Sequence, residues 1–309
     1  MTAPPLAADP VLAAFAEEVG ATDAVAVEGA RTRWAVGGAV ADGTRLVKAP
    51  TGIVRHEAEE MIVCVRAGTP VAELAATLAQ RGQRCALPDH GGTVGGAIAA
   101  GENDLLVLGC GTLRASVLEV RYVSAEGRLI RGGGPTVKNV TGFDLPRIMV
   151  GALGTLGLIA EVILRTNPLP ATSLWAMATD ADPFAARDAL LRPAAVLWDG
   201  THTWVNLEGH APDVTAQLAL LGTVGRFAEV QGPPPLPACR WSLAPGELRH
   251  LHAQQLGGFV ASVGVGLVHA ERPQPSRALP PTVAALSARV KSNFDPTGRL
   301  NPGRNPGAR

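Results

Sequence analysis

Along the N-terminal part of the chain, apolar positions switch between two periods. After Asp9-Pro10, which can cap a helix and preset its first backbone angle, Leu12, Phe15 and Val19 recur at helical spacing and predict one buried face. Ala24–Val27 predicts a short strand. Met61–Arg66 is apolar and β-branched, which predicts another, and Thr69-Pro70 opens a helix whose Val71, Leu74 and Leu78 share a side. Cys85–Leu87 predicts a third, short strand. Val117–Ser124 and Arg128–Ile130 flank Ala125-Glu126-Gly127, whose glycine can take the left-handed angle that closes a β-hairpin. Strands and helices alternate here without a regular βαβ repeat.

From Ser173 the pattern becomes strand (Leu174–Thr179), helix (Pro183–Leu191), strand (Ala194–Trp198), strand (Thr203–Leu207), helix (Val214–Leu221) and strand (Arg226–Val230). That is the order of a split βαβ, ferredoxin-like unit. Asn167-Pro168-Leu169-Pro170 stops the strand before it, because proline cannot donate to a ladder, so a second domain is expected to begin there. Pro233–Pro237 has the composition of a linker. Beyond it the spacing predicts a helix over Glu247–Gln254, a strand over Phe259–His269 and a terminal helix over Thr282–Asn293, stopped by Asp295-Pro296.

Composition narrows the function classes. The 309 residues are 47% hydrophobic and 17% charged, which describes a folded globular chain. Lys plus Arg (27) equals Asp plus Glu (27), so there is no positive excess to gather nucleic acid or an anionic membrane. Only Lys48, Lys138 and Lys291 are lysines, which singles each of them out. Cys64, Cys85, Cys110 and Cys239 are scattered without a C-x-x-C, so no zinc or iron–sulfur site has local support and buried thiols are expected. The first twenty residues lack a basic start and carry Glu17 and Glu18, unlike a signal peptide. Ile148–Ala160 falls short of the ~20 apolar residues of a membrane helix. A cytoplasmic location is expected, with membrane association through a partner.

Glycine then marks the chemistry. Pro88–Gly101, PDHGGTVGGAIAAG, joins a strand to a helix of small residues, where backbone N–H groups can face a pyrophosphate directly. A glycine patch for helix packing is the alternative. Leu106–Thr112, LVLGCGT, offers a second option, the strand and turn of a Rossmann-like nucleotide or S-adenosylmethionine site, although a strand follows where that fingerprint wants a helix.

Thr93–Gly101, together with Val137–Leu145 (VKNVTGFDL) and Gly151–Glu161 (GALGTLGLIAE), resembles the FAD-binding domain of the vanillyl-alcohol oxidase and p-cresol methylhydroxylase (PCMH) type. Within that type it is most similar to the smaller FAD-binding subunits of bacterial glycolate oxidases. The similarity runs from about Val25 to Pro170 and returns in Asn293–Arg304 (NFDPTGRLNPGR). The resemblance implies an α+β fold: a two-lobed FAD-binding domain over residues 1–170, with lobes 1–87 and 88–170. A small ferredoxin-like cap over 171–275 and a C-terminal segment, 276–309, returning to the flavin domain complete it.

The same resemblance implies the site. A first glycine turn, Gly29, Ala30, Arg31 and Thr32, would meet the pyrophosphate; Ala30 replaces a usual glycine, and Glu28 adds a negative charge that Arg31 or Arg33 can offset. Pro88, Asp89, His90, Gly91, Gly92, Thr93, Val94, Gly95, Gly96, Ala97 and Gly101 form the second loop. Thr112 and Arg114 stand where relatives carry a Gly-x-x-Arg-Asp turn, with Ala115 replacing the acid. Gly154, Gly157 and Ile159 complete the set. Lys138, the one catalytic candidate, would place a cation beside the flavin ring, or else pair with Asp144 to hold its loop. With no histidine in the first turn for a covalent link, FAD is expected to be non-covalent.

Oxidation of a 2-hydroxy acid needs a base and cations for the carboxylate. The catalytic subunits that this type resembles carry a histidine cluster with metal-ligand spacing, whereas His202, His210, His250, His252 and His269 are scattered here, so no metal is expected. The expected function is an FAD-binding oxidoreductase subunit, acting in electron transfer within a glycolate oxidase-like complex. A second flavoprotein subunit, an iron–sulfur subunit and a small 2-hydroxy acid are its expected partners. A self-sufficient FAD-dependent dehydrogenase or oxidase, and a methyltransferase using Gly109–Thr112, remain open alternatives.

Overall fold

The computed structural model describes residues 9–135, 144–251, 253–275 and 279–307. They divide into two units, one within Met1–Asp104, Thr112–Pro168 and Arg277–Arg309, the other within Leu105–Gly111 and Leu169–Ser276.

In the first unit, Asp9 caps the helix Pro10–Val19 by accepting from the N–H groups of Val11 (3.0 Å) and Leu12 (3.3 Å), and Leu12, Phe15 and Val19 are buried as their spacing predicts. The helix Val71–Ala79 buries Val71, Leu74 and Leu78. Strands β1 (Val25–Val27) and β2 (Arg45–Val47) pair in parallel. Strands β3 (Ile53–Glu57), β4 (Ile62–Arg66), β5 (Gln83–Cys85), β6 (Val117–Val123), β7 (Leu129–Gly133) and β8 (Leu158–Pro168) build an antiparallel sheet of order β3-β4-β8-β6-β7, with β5 also on β8. The β6–β7 hairpin closes on Gly127 at φ 72°, the angle expected of it. Pairing over Gln83–Cys85 corrects the expected strand Cys85–Leu87: Ala86 and Leu87 are buried, but they already lead into the loop.

Cross-strand register sets a row of charges inside this sheet. Arg66 on β4 and Arg121 on β6 both stand opposite Glu161 on β8. Glu161, 1% exposed, pairs with Arg66 (3.0 Å) and Arg121 (2.7 Å), and Arg66 also reaches Asp9 at 2.5 Å. Arg121 and Arg131 share Glu119 at 3.0 and 2.7 Å. Buried charges persist only when paired in this way. Burial, reinforced by Glu161, pushes the neighbouring Cys64 thiol up to about 12, so it is inert. Only Cys64 is a buried thiol; Cys85, Cys110 and Cys239 are half-buried, which corrects the expectation for them.

The second unit contains β9 (Thr172–Thr179), a helix (Pro183–Ala189), β10 (Ala195–Trp198), β11 (His202–Gly209), a helix (Ala211–Leu221) and β12 (Ala228–Val230), in antiparallel order β12-β9-β11-β10. Strands β13 (Cys239–Ser242), β14 (Phe259–Ser262) and β15 (Leu267–Ala270) extend it beyond β10 in the order β14-β15-β13. Three expectations change here. The strand over Phe259–His269 is two strands, because Gly264 and Gly266 adopt φ 83° and 85° and turn the chain between them. The helix over Glu247–Gln254 is a 3-10 turn, Pro245–His250, and a short helix, Ala253–Leu256, separated by the extended Leu251. Val107–Cys110 is a helical turn where the nucleotide-site alternative wants a strand.

The C-terminal helix Pro281–Phe294 returns the chain to the first unit. Asp295 accepts from Lys291 Nζ (2.5 Å) and the Leu300 N–H (2.8 Å), and the Arg299 guanidinium donates to the carbonyls of Val19, Asp23 and Ala125. Leu300 bridges to Val25 beside β1. Among the described residues, no helix is long and apolar enough to cross a membrane.

Candidate functional site

β1 delivers the first glycine turn. The Glu28 N–H still donates to Val47 O at 2.9 Å, but the N–H groups of Gly29, Ala30, Arg31, Thr32 and Arg33 have no acceptor among the described residues. Arg31 sits in the left-handed region at φ 58°. Successive unengaged N–H groups in a turn of this kind form a concave anion site. The conformation that glycine would supply is therefore reached by an arginine, whose Nε pairs with Glu28 at 2.5 Å and whose guanidinium lies 5.0 Å from the centre of the Trp34 ring. That pairing offsets the Glu28 carboxylate.

The second loop spends its amides differently. Val94 donates to Thr69 O (2.9 Å), Gly95 to Ala67 O (2.7 Å) and Gly96 to Thr93 Oγ1 (3.2 Å), while Gly91 donates to Asp89 Oδ1 (2.9 Å). The start of helix Val94–Ala100 is thus fastened to the end of β4. A Cβ on Gly95 would stand 2.7 Å from that of Ala67, so glycine is needed there for close packing. The N–H groups of Gly92 and Thr93 stay without an acceptor among the described residues.

The two loops face each other closely. A Cβ on Gly29 would lie 2.8 Å from Thr93 Oγ1, and one on Gly92 would lie 2.9 Å from Thr32 Oγ1. Along this seam run two chambers of about 110 and 270 Å³, which share Val27, Gly29, Thr93, Gly96, Ala99 and Asn301 as walls. Arg31, Arg33, Trp34, His90, Glu102 and Arg304 line the smaller. Lys48, Thr51, Gly68, Gly154 and Ile159 line the larger. Glu102 pairs with Arg33 Nε at 2.9 Å and lies 3.4 Å from His90 Nε2. Burial pulls the Arg304 pKa down from its ordinary value, yet a guanidinium stays charged at any ordinary pH. A row of unengaged N–H groups beside several cations, in a cleft that added Cβ atoms would narrow, fits an elongated dianionic ligand such as a dinucleotide.

The expected residues divide accordingly. Gly29, Ala30, Arg31, Thr32, Pro88, His90, Gly92, Thr93, Gly96 and Ala97 line the smaller chamber, and Gly95, Gly154 and Ile159 the larger. Asp89 and Gly91 hold each other in the turn, Val94 is buried in the core, and Gly101 ends its helix at φ 67°. Thr112 caps the helix Leu113–Ser116, Arg114 reaches Val150 O, and Gly157 makes room for the Tyr122 ring. Lys138 lies outside the described residues. Lys48, Trp34, Glu102, Asn301 and Arg304 line the chambers without having been selected by sequence. Two signals pointed toward them: the scarcity of lysine, and the terminal motif that contains Asn301 and Arg304.

Comparisons with known proteins agree with this geometry. Residues 11–133 match the family described as FAD binding domain. Glycolate oxidase subunit GlcE of Escherichia coli (strain K12) is 31% identical over 206 residues, covering 63% of this chain and 59% of that protein. Glycolate oxidase subunit GlcD of Bacillus subtilis (strain 168) is 41% identical over 80 residues, 26% of this chain and 17% of that one. The chain thus spans about three-fifths or less of these relatives' lengths. A solved alkyldihydroxyacetonephosphate synthase shares the fold at a TM-score of 0.62 and 14% identity, over 90% of this chain and 72% of its own. The two glycine loops that face one cleft both fall within the segment 11–133 that matches the FAD binding domain family.

Proposed function

We propose that this protein is the FAD-binding, electron-transferring subunit of a glycolate oxidase-like 2-hydroxy-acid dehydrogenase. The observation that carries the reading is the run of unengaged N–H groups from Gly29 to Arg33 facing the second glycine loop, on a chain similar to GlcE over 206 residues. Bound FAD would supply a two-electron acceptor able to pass electrons onward. The first turn would bind the diphosphate through backbone N–H groups. Thr93, Gly96 and Asn301 would wall the cofactor, and Arg33 would offset the Glu102 charge beside the diphosphate turn. The first glycine turn carries no histidine for a covalent link, so in this reading FAD is held non-covalently. Lys138 remains a candidate for the cation beside the flavin ring. A second flavoprotein subunit would contribute the substrate chemistry, and an iron–sulfur subunit would take electrons away.

The test is anaerobic mixing of the FAD-loaded chain with glycolate and with D-lactate, following flavin absorbance, before and after adding the co-purifying chains. Bleaching that needs the partners supports the subunit role. Rapid bleaching by the chain alone makes it a dehydrogenase in its own right, and a colourless chain that takes up no FAD removes both readings.

A further inference from the structure

We infer that Arg304, near the C-terminal end of the chain, is a binding residue for the diphosphate of the dinucleotide, so that the flavin site is completed by the last segment of the sequence. This rests on the FAD reading above and adds a residue to it. Three guanidiniums line the smaller chamber, and two of them are neutralised: Arg31 by Glu28 at 2.5 Å, Arg33 by Glu102 at 2.9 Å. Arg304 is different. Its Nη1 donates to the main-chain carbonyls of Val36 (2.8 Å) and Gly38, and no carboxylate pairs with it among the described residues.

Those two carbonyls fix the guanidinium without cancelling its charge. Trp34 orients it further, with its ring centre 4.8 Å away. Nε and Nη2 have no acceptor among the described residues, which leaves one edge of the fork for a bidentate anion. A charge held in a partly dry cleft without a counter-ion is costly, and an anionic ligand relieves that cost.

The backbone holds the residue in place from both sides. Asn301 N–H donates to Val25 O (2.8 Å), Ala41 N–H to Pro302 O (2.9 Å) and Asn305 N–H to Gly37 O (2.7 Å), so the segment is stitched to both flanks of the first glycine turn. Arg304 is thereby brought to the same chamber as the unengaged N–H groups of Gly29–Arg33. Backbone dipoles and one uncompensated guanidinium then address a single dianion.

The experiment compares FAD, ADP and riboflavin binding to the wild type, Arg304→Gln and Arg304→Lys, by calorimetry or flavin fluorescence. ADP carries the diphosphate without the flavin, and riboflavin the reverse. Arg304→Gln is expected to weaken FAD and ADP about 10- to 100-fold while changing riboflavin less than about twofold, with Arg304→Lys in between. Equal losses for all three ligands, or no loss for FAD and ADP, overturn the assignment and leave the FAD reading standing. A wild type that binds neither FAD nor ADP overturns both. Should Arg304→Gln fail to fold, the wild type decides: ADP affinity that stays level between about 50 and 500 mM NaCl excludes a charge contact of this kind.

Discussion

The two glycine-bearing loops line the same cleft, yet their glycines serve opposite ends. In the second loop, Val94, Gly95 and Gly96 spend their N–H groups on Thr69, Ala67 and Thr93, and Gly95 lacks a side chain because Ala67, just past β4, is in the way. In the first loop, one glycine suffices: Ala30 and Arg31 occupy a turn whose N–H groups stay unengaged, and Arg31 itself takes the left-handed angle. Glycine content therefore locates where backbone comes close to something. Whether that is a ligand or a neighbouring strand depends on which N–H groups are already satisfied.

Several changes would break or sharpen this contrast. The largest effect is expected from Glu161→Ala, which removes the buried carboxylate shared by Arg66 and Arg121 and leaves them only Asp9 and Glu119 as partners. Loss of one partner of a buried pair costs about 3–5 kcal/mol, read as a fall in the urea midpoint; a loss under about 1 kcal/mol would mean that water already compensates these charges. Gly95→Val comes next, at about 1–3 kcal/mol of stability from overpacking against Ala67. Its neighbour Gly96, exposed on the cleft side, should behave otherwise: Gly96→Val keeps its far-UV circular dichroism and loses the flavin. If the two variants lose stability and flavin in parallel, the loops do not differ as described.

Smaller effects probe the mounts themselves. At Arg31 the left-handed angle makes Gly the better replacement, so Arg31→Gly should be more stable than Arg31→Ala by about 1 kcal/mol; the reverse order would show that the turn relaxes. Asp9 ties its helix to Arg66. Burial raises the Asp9 pKa, but the Arg66 hydrogen bond, the N–H groups of Leu12 and Val11 and the Arg66 charge outweigh it and hold the carboxyl below 3.8. Its stabilisation is therefore complete above that value and is lost as pH falls through the folded pKa. Asp9→Asn should cost about 1 kcal/mol at neutral pH, and urea titrations should show that gap closing below pH 3.8. A gap that stays constant on acidification would exclude the ionic contribution.

Much of the architecture is legible in the chain. Helix positions such as Leu12, Phe15 and Val19, the hairpin at Gly127 and the six elements from Thr172 to Val230 follow from periodicity and turn chemistry, because those signals are local. The short β2 and β3 were missed, since Arg45 and Arg55 interrupt runs too brief to show alternation. The long β8 was hidden behind Gly151–Gly157, and β13, which follows directly on the proline-rich Pro233–Pro237, was missed. Motif resemblance reached thirteen chamber-lining residues, but it also gathered Val94, Gly101, Thr112 and Gly157, which serve the core, a helix end, a cap and a packing contact.

By itself, then, the sequence determined where the backbone bends, which faces are buried and which loops are stripped of side chains, because those properties depend on residues a few positions apart. Only the tertiary structure decided which N–H groups are left over, that Glu161 ends its glycine motif as the partner of Arg66 and Arg121, and that Arg304 reaches Val36 and Gly38. Each of these joins positions tens to hundreds of residues apart. Hydrogen-bond satisfaction and charge compensation are settled by whatever the fold brings within about 3 Å, and no local period encodes that distance.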